Sequence, residues 1–265
     1  MPLRLANDAK AYIVVNTKTK TLQLYKYLPI STRSLGILTS GKIWHSKPAK
    51  FNDPFDCGID LSATMKIEEK IQVLRARMQR EGWSNEKITN QLQHSFTTDG
   101  ELNEIAEGNL QKMTSDIHHN RDNVGILSLS AVCNSVLMWS HYSMEHRGMC
   151  IELNVPVTDS LLEINYSPKM PKYTLYDLLI QPNPDAVLRL FTTKHEDWHY
   201  EKEFRIVLDR GDILHDLPGP ITAIVFGLRT PPEDETVVRR VAGAGIMFKR
   251  CKRAADRFAV EIEDA

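Results

Sequence analysis

The chain has 265 residues, of which 42% are hydrophobic and 25% charged, and its formal net charge at pH 7 is -1. A chain of this length and composition can bury a full hydrophobic core, so it is predicted to fold as a globular protein. The balance of 33 basic against 34 acidic residues excludes a general electrostatic attraction to nucleic acid or to a membrane surface.

The sequence also limits location and metal binding. No stretch approaches the roughly 20 apolar residues that span a bilayer, and the first residues lack the pattern of a secretion signal. The cysteines, Cys57, Cys133, Cys150 and Cys251, are widely separated and lack the spacing of zinc ligands. We therefore expect a cytoplasmic protein with no membrane partner and no metal site.

The front of the chain has mixed secondary structure. Alternating apolar residues predict two strands, at 11–15 and 21–27, that form a hairpin. A short helix over 31–40 is predicted to end at Gly41, because glycine readily adopts the left-handed conformation that closes a helix. A strand over 42–46 follows, so the order is strand, helix, strand.

The middle of the chain differs from both ends. Residues 66–120 carry apolar side chains at helical spacing, which predicts an insertion of two or three helices that packs on the body or covers a substrate. The later predicted elements are strands at 124–130, 149–153, 201–208, 221–226, near 247 and at 258–262, and helices at 134–142, 174–180, 185–191 and 230–241.

The fold class follows from the order of these elements. Strands do not alternate regularly with helices, so the sequence predicts an α+β protein with a mixed, mainly antiparallel sheet. One domain over 1–265 is expected, with 66–120 as its helical insertion. Thr230 and Glu233 have the spacing of a capping box, which predicts that the helix over 230–241 begins at Thr230.

The run 195–205 holds the densest group of reactive and aromatic side chains. If a strand begins there, Glu201, Glu203 and Arg205 point to one face, because side chains alternate along a strand. Two carboxylates and a guanidinium on one face can bind a ligand, orient it or catalyse its reaction. The alternative is a solvated strand face on which Arg205 pairs with a glutamate.

The predicted helix over 134–142 carries a second group. Trp139 and Tyr142 are three residues apart and share a helix face, so they can clamp a planar ring or pack in the core. His141 can donate a proton near neutral pH or serve as a structural histidine. Arg147, before the next strand, can bind phosphate or occupy a surface turn.

A third group lies at Asn52, Asp53 and Asp56, around Pro54. Their side chains can shape the loop through Asx turns, which is the favoured interpretation, or offer oxygen ligands to magnesium or calcium. The spacing does not match a calcium-binding loop of twelve residues.

Four motifs occur in order along the chain. They are Leu-Tyr-Lys-Tyr at 24–27, Phe-Asn-Asp-Pro-Phe-Asp at 51–56, Trp-Ser-His-Tyr at 139–142 and Tyr-Glu-Lys-Glu-Phe-Arg at 200–205. This series resembles a widespread bacterial family of unknown function, over about residues 22–230 without the helical insertion. The resemblance supports a shared fold and supplies no activity.

The order of the motifs is also similar to the ADP-ribosyltransferase superfamily. The shared features are a basic residue between aromatics on an early strand, a helix ending in glycine, a strand bearing serine, and a late Glu-x-Glu. The resemblance implies that Lys26 holds NAD, Ser46 supports the nicotinamide ribose and Glu203 bonds the ribose 2′-hydroxyl. The carboxylate would stabilise the positive charge that builds as nicotinamide leaves.

The leading hypothesis is an NAD-using ADP-ribosyltransferase-like enzyme, a toxin or phage-defence effector that modifies nucleic acid or protein. Glu203 would carry the chemistry, Glu201 would orient the acceptor, and His141 would assist proton movement or contact phosphate. The residues expected to bind the nucleotide are Tyr25, Lys26, Tyr27, Ser46, Trp139 and Arg147. Tyr25 and Tyr27 have a second interpretation as packed side chains whose hydroxyls are hydrogen-bonded.

Two other classes stay open. One is a nuclease or phosphodiesterase that uses His141 with Asp53, Asp56 and Glu203 around a divalent ion. The other is a non-enzymatic sensor or adaptor whose pocket binds a nucleotide and whose insertion meets a partner. The sequence leaves the acceptor, the pathway and the oligomeric state open.

Overall fold

A computed structural model describes residues 20–181 and 184–265. The predicted strand at 11–15, and with it the predicted hairpin, lies outside these residues. The described chain forms two compact units. The first unit contains 48–124 and 165–195, and the second contains 20–47, 125–164 and 196–265. The prediction of one domain over 1–265 stays a prediction.

The described residues form both helices and strands. The helices are α1 (Thr32–Ser40), α2 (Ile67–Arg80), α3 (Asn85–Gln93), α4 (Glu104–Asn123), α5 (Val136–Tyr142), α6 (Leu175–Leu179), α7 (Pro184–Thr192) and α8 (Pro232–Val241). The strands are β1 (Thr21–Leu28), β2 (Lys42–His45), β3 (Gly125–Ser130), β4 (Met149–Pro156), β5 (Leu161–Glu163), β6 (Asn165–Tyr166), β7 (Thr193–Lys194), β8 (Glu203–Leu208), β9 (Ile213–Asp216), β10 (Ile221–Phe226), β11 (Met247–Arg253) and β12 (Val260–Asp264). Short 3-10 helices cover Pro48–Lys50 and Glu196–Glu201.

Local sequence signals account for several element ends. At α1 the Ser31 hydroxyl accepts a hydrogen bond from the Ser34 N–H, and Gly41 closes the helix at φ +67°, as predicted. At α8 the prediction of a Thr230 cap is wrong. Pro231 occupies the N-cap, and the Thr230 hydroxyl donates instead to the main-chain oxygen of Gly148 at 2.8 Å.

The first unit is mainly helical. It contains α2, α3 and α4, so the helices predicted within 66–120 are confirmed. It also contains α6, α7 and the short parallel pair of β6 and β7. Within the part of the chain that the structure describes, no helix has both the length and the hydrophobicity to cross a membrane.

The second unit is built on an eight-stranded sheet. The strand order is β12-β11-β10-β4-β1-β3-β8-β5. All neighbouring strands are antiparallel except β10 and β11, which run parallel and are connected by α8. The predicted mixed, mainly antiparallel sheet with helices is therefore confirmed. A separate pair of β2 and β9 belongs to the same unit.

The two faces of this sheet have different side chains. One face, called the apolar face, buries aliphatic residues including Leu24, Leu127, Leu129, Ile151 and Ile224, covered by Ile37 of α1, Ile43 of β2 and Val238 of α8. The other, called the tyrosine face, buries Tyr25, Tyr27, Cys150 and Val225 against Met138 and Trp139 of α5. Phe204 of β8 packs on the apolar face, so its neighbours Glu203 and Arg205 project from the tyrosine face.

Candidate functional site

The glutamates expected to share a strand are divided by a turn in the backbone. Glu201 is the last residue of the 3-10 helix, and β8 begins only at Glu203. Between them Lys202 adopts a left-handed conformation, with φ +45°. The prediction that Glu201 lies on the strand beside Glu203 is therefore wrong. A lysine rarely takes this conformation, and such residues concentrate at functional sites.

Glu203 and Arg205 form a buried ion pair. The guanidinium Nε lies 2.7 Å from Glu203 Oε1, and Nη2 lies 3.1 Å from Oε2, so the contact is bidentate. Glu203 is 3% exposed and Arg205 is fully buried. Their shared face follows from strand alternation, as predicted. The alternative of a solvated face is wrong because both side chains are buried, but its pairing of Arg205 with a glutamate is confirmed.

Glu201 is also buried, and it contacts α5. The Tyr142 hydroxyl donates to Glu201 Oε1 at 2.6 Å. The main-chain oxygen of Glu201 accepts from the hydroxyl of Ser130, the last residue of β3, also at 2.6 Å. These two contacts fix both the side chain and the backbone of Glu201, which keeps its carboxylate at a defined place beside α5.

A group of exposed and half-buried rings lies next to Glu201 along the chain and on α5. His141 Nδ1 is 3.1 Å from the Tyr200 hydroxyl. The centroid of the His141 ring lies 6.0 Å from that of Tyr200 and 6.4 Å from that of Trp198. His141 is exposed, while the other two are partly exposed. We call these three residues the ring cluster; flat aromatic surfaces of this kind can stack a nicotinamide or an adenine.

The segment that carries these groups has a family match. Residues 138–206 match the family described as a protein of unknown function (DUF2971). The segment runs from α5 to β8 and includes Tyr142, Glu201, Glu203 and Arg205. The expected resemblance to a family of unknown function is confirmed over these residues. No significant match was found among the curated proteins or among the solved structures.

Three aromatic residues expected to bind the nucleotide are buried in this structure. The Tyr27 hydroxyl donates to the Val132 main-chain oxygen, and its ring meets that of Trp139 edge to face at 5.1 Å. Trp139 is fully buried, and its indole N–H donates to the Cys133 main-chain oxygen at 2.8 Å. Tyr25 donates to Gln23, and burial is the main cause that raises the pKa of its hydroxyl. These side chains are therefore engaged in packing and hydrogen bonds inside the unit.

Lys26 and Ser46 do not meet Glu203. Lys26 alternates with Tyr25 and Tyr27 and so projects from the apolar face, where its ammonium donates to the Ser128 main-chain oxygen at 2.9 Å. Ser46 pairs through its backbone with Ile126. Since Glu203 pairs with Ser130, Ser46 lies about 13 Å along β3 from it.

Arg147 is exposed in the loop after α5, and none of the described contacts connects it with either glutamate. Arg147, Lys26 and Ser46 were all predicted to bind the nucleotide, but the fold does not bring them together. The contact between Tyr142 and Glu201 is one that sequence reasoning missed. These residues are 59 positions apart in the sequence, so no local pattern reveals that they meet.

The aspartate loop lies in the first unit. Asp53 Oδ1 accepts the Phe55 N–H at 2.9 Å, which confirms the predicted Asx turn. Asp56 forms a buried ion pair with Lys194 at 3.4 Å. Among the described residues, no group of three or more histidine, cysteine, aspartate or glutamate side chains is arranged to hold a metal ion.

Proposed function

We propose that the second unit binds a nucleotide at the ring cluster and acts on NAD in an ADP-ribosyltransferase-like reaction. The observation that carries the proposal is the fixed Glu201 carboxylate next to the exposed and partly exposed rings of the ring cluster, followed along the chain by the buried pair of Glu203 and Arg205. The strained backbone at Lys202 supports it, because it sets the separation of the two glutamates.

The chemistry requires a carboxylate near the reacting ribose. In the reaction, the bond between ribose C1′ and the nicotinamide nitrogen breaks, and the bonding electrons leave with nicotinamide. An acceptor oxygen or nitrogen forms the new bond to C1′ and loses its proton to a base. A preorganised carboxylate stabilises the positive charge that develops on the ribose and can take that proton.

The contacts of the two glutamates favour roles other than those expected from the sequence. Both Glu203 oxygens are occupied by Arg205, so the pair supplies a fixed dipole at the base of the site. Glu201 follows Tyr200 of the ring cluster in the chain, and its Oε1 accepts from the hydroxyl of Tyr142, the neighbour of His141. Because Glu201 is the glutamate next to the ring cluster, we assign it the reacting carboxylate and give Glu203 the supporting role. Lys26 is left out of the site, because it lies on the other face.

The test is incubation of the purified protein with labelled NAD and a bacterial lysate. Label is followed in protein, DNA, RNA and free ADP-ribose, which names the acceptor class. Glu201→Gln keeps the shape of the side chain and is expected to abolish label transfer. Glu163→Gln is the matched control, because Glu163 is exposed on the neighbouring strand β5 and should leave transfer unchanged. Equal transfer by wild type and Glu201→Gln ends the assignment.

A second candidate is a nucleotide-binding module without catalysis. The bidentate ion pair of Glu203 with Arg205 favours it, because a carboxylate held by a buried guanidinium serves structure as well as chemistry. A rise in melting temperature with NAD or ADP, with no product formed, would select this candidate. A different result, loss of activity when a chelator is added, would favour the metal-dependent nuclease.

A further inference from the structure

The loop after α5 has an unusual backbone. Three consecutive residues that are not glycine adopt left-handed conformations: Met144 (φ +45°), Glu145 (φ +55°) and His146 (φ +71°). The turn after β10 holds this loop in place. The main-chain oxygen of His146 accepts the Arg229 N–H at 2.9 Å. A Cβ at Gly227 would lie 2.2 Å from the same oxygen, so only glycine permits this approach.

The imidazole of His146 is fixed by its neighbours. It stacks on the Trp139 ring, with centroids 6.3 Å apart, and its Nε2 lies 3.2 Å from the Ser140 hydroxyl. That hydroxyl donates to the Val136 main-chain oxygen, so it accepts from Nε2–H. Nδ1 then carries a lone pair, and this buried atom has no hydrogen-bond partner among the described residues.

Two arginines lie near this histidine. Arg229 lies in the turn after β10, and its N–H donates to the His146 main-chain oxygen. Arg253, the last residue of β11, lies two residues after Cys251 and so shares the strand face of Cys251, which packs in the same cluster as Trp139. Both arginine side chains are exposed. Within the ranges 20–181 and 184–265, neither has an acidic partner. The other basic residues of the same strand do have partners: Lys249 with Glu152, Arg250 with Glu235 and Lys252 with Glu263.

The electrostatic effect on the histidine is consistent with this arrangement. Burial lowers the pKa of His146, and the charges of Arg229 and Arg253 lower it further. The two guanidinium charges, and that of His146 when it is protonated, repel one another unless an anion lies between them. A bound dianion would reverse the effect on His146 and favour its protonated form.

We propose that His146, Arg229 and Arg253 form an anion-binding cluster that takes the diphosphate group of a nucleotide. Guanidinium groups match phosphate oxygens in bidentate geometry, and a protonated His146 adds a third positive charge. The cluster contains neither Glu201 nor Glu203. It goes beyond the proposed NAD reaction and does not depend on it.

The first experiment measures binding of ADP, inorganic pyrophosphate and adenosine to the full chain by titration calorimetry. ADP and pyrophosphate are expected to bind, while adenosine binds at least tenfold more weakly. Arg229→Gln and Arg253→Gln should each weaken ADP binding about tenfold, as expected for loss of one charge-assisted contact. Arg210→Gln removes an exposed arginine elsewhere in the unit and should leave affinity unchanged. Equal affinity in all four proteins overturns the cluster, as does an equal loss in the Arg210 control.

The second experiment tests the role of His146 through pH. Sulfate is the probe, because it stays a dianion between pH 6 and pH 8, so a pH effect reports the protein. Wild type should bind sulfate more tightly at pH 6 than at pH 8, while His146→Asn should show equal affinity at both. Asparagine is chosen because it tolerates the left-handed backbone. A pH-independent wild type removes His146 from the cluster. An absence of NAD turnover would end the proposed function and leave these binding results intact.

Discussion

The two faces of the eight-stranded sheet bury different kinds of side chain. The apolar face is filled by aliphatic residues such as Leu127 and Ile151, which stabilise the unit by removing apolar surface from water. The tyrosine face buries hydroxyls, thiols and the charged pair of Glu203 and Arg205. Lys26 is a polar residue on the apolar side, where its ammonium donates to a main-chain oxygen.

The difference explains where chemistry can reside. Aliphatic packing depends mainly on volume, so related apolar residues substitute for one another at modest cost. A buried polar group needs a partner of matching chemistry, and loss of that partner leaves the group desolvated and unpaired. The tyrosine face should therefore tolerate fewer substitutions than the apolar face. Glu201 and the ring cluster lie beside the tyrosine face.

The largest expected effect is on the buried pair of the tyrosine face. Glu203→Gln removes the carboxylate that pairs bidentately with the buried Arg205, so the free energy of unfolding should fall by about 3–5 kcal/mol. Urea unfolding measures this. The double variant Glu203→Gln with Arg205→Met should recover part of the loss, since it also removes the buried charge that lost this contact. If Glu203→Gln were as stable as wild type, the pair would contribute nothing to the stability of this face.

The apolar face should respond to volume. Leu127→Ala is expected to lower the free energy of unfolding by about 2–5 kcal/mol, because the side chain is 1% exposed and leaves a cavity. Leu127→Met keeps most of the volume and should cost less than about 1.5 kcal/mol. The same urea measurement applies. Similar losses for the two variants would contradict a role based on volume.

A smaller effect is expected from pH at the apolar side. Burial, with His215 and Lys26 nearby, lowers the pKa of His45 to about 4 from 6.5. The unfolded chain therefore binds a proton more readily below pH 6.5, and the stability that neutral His45 supports is present above pH 6.5 and lost as pH falls towards 4. His118 and His146 have pKa values lowered in the same direction.

Substitution of His45 separates its contribution to the pH dependence of stability from that of other groups. Unfolding free energies measured between pH 7 and pH 4 should fall less steeply for His45→Phe than for wild type, because phenylalanine keeps an aromatic ring and does not titrate. His94→Phe is a suitable control, since His94 is exposed on the helical unit. Parallel curves for His45→Phe and wild type would assign the acid loss to other groups.

The smallest expected effect is a gain at the turn between the glutamates. Lys202→Gly should raise the free energy of unfolding by about 0.5–1 kcal/mol, because glycine adopts positive φ without strain but loses more entropy on folding. Lys202→Ala keeps the strained φ and should bring no gain. If the glycine variant is less stable than wild type, the lysine side chain contributes more than the strain costs.

Much of the fold could be predicted because its signals are local. Ser31 and Gly41 bound α1 through contacts within a few residues, and the apolar spacing of 66–120 marks its helices. The alternation that places Glu203 and Arg205 on one face is equally local. Glu201 was misplaced because the left-handed Lys202 interrupts that alternation, and a lysine carries no sequence signal for such a turn.

The amino-acid sequence by itself determined the mixed class, most elements of the second unit and the shared face of Glu203 and Arg205, since these depend on periodicity and short-range caps. Only the tertiary structure decided which groups meet. The pairing register of β1, β3 and β8 puts Lys26 and Glu203 on opposite faces, and the packing of α5 brings Tyr142 to Glu201. Strand pairing and helix docking are long-range contacts, so their outcome is set by burial and polar pairing over the whole unit.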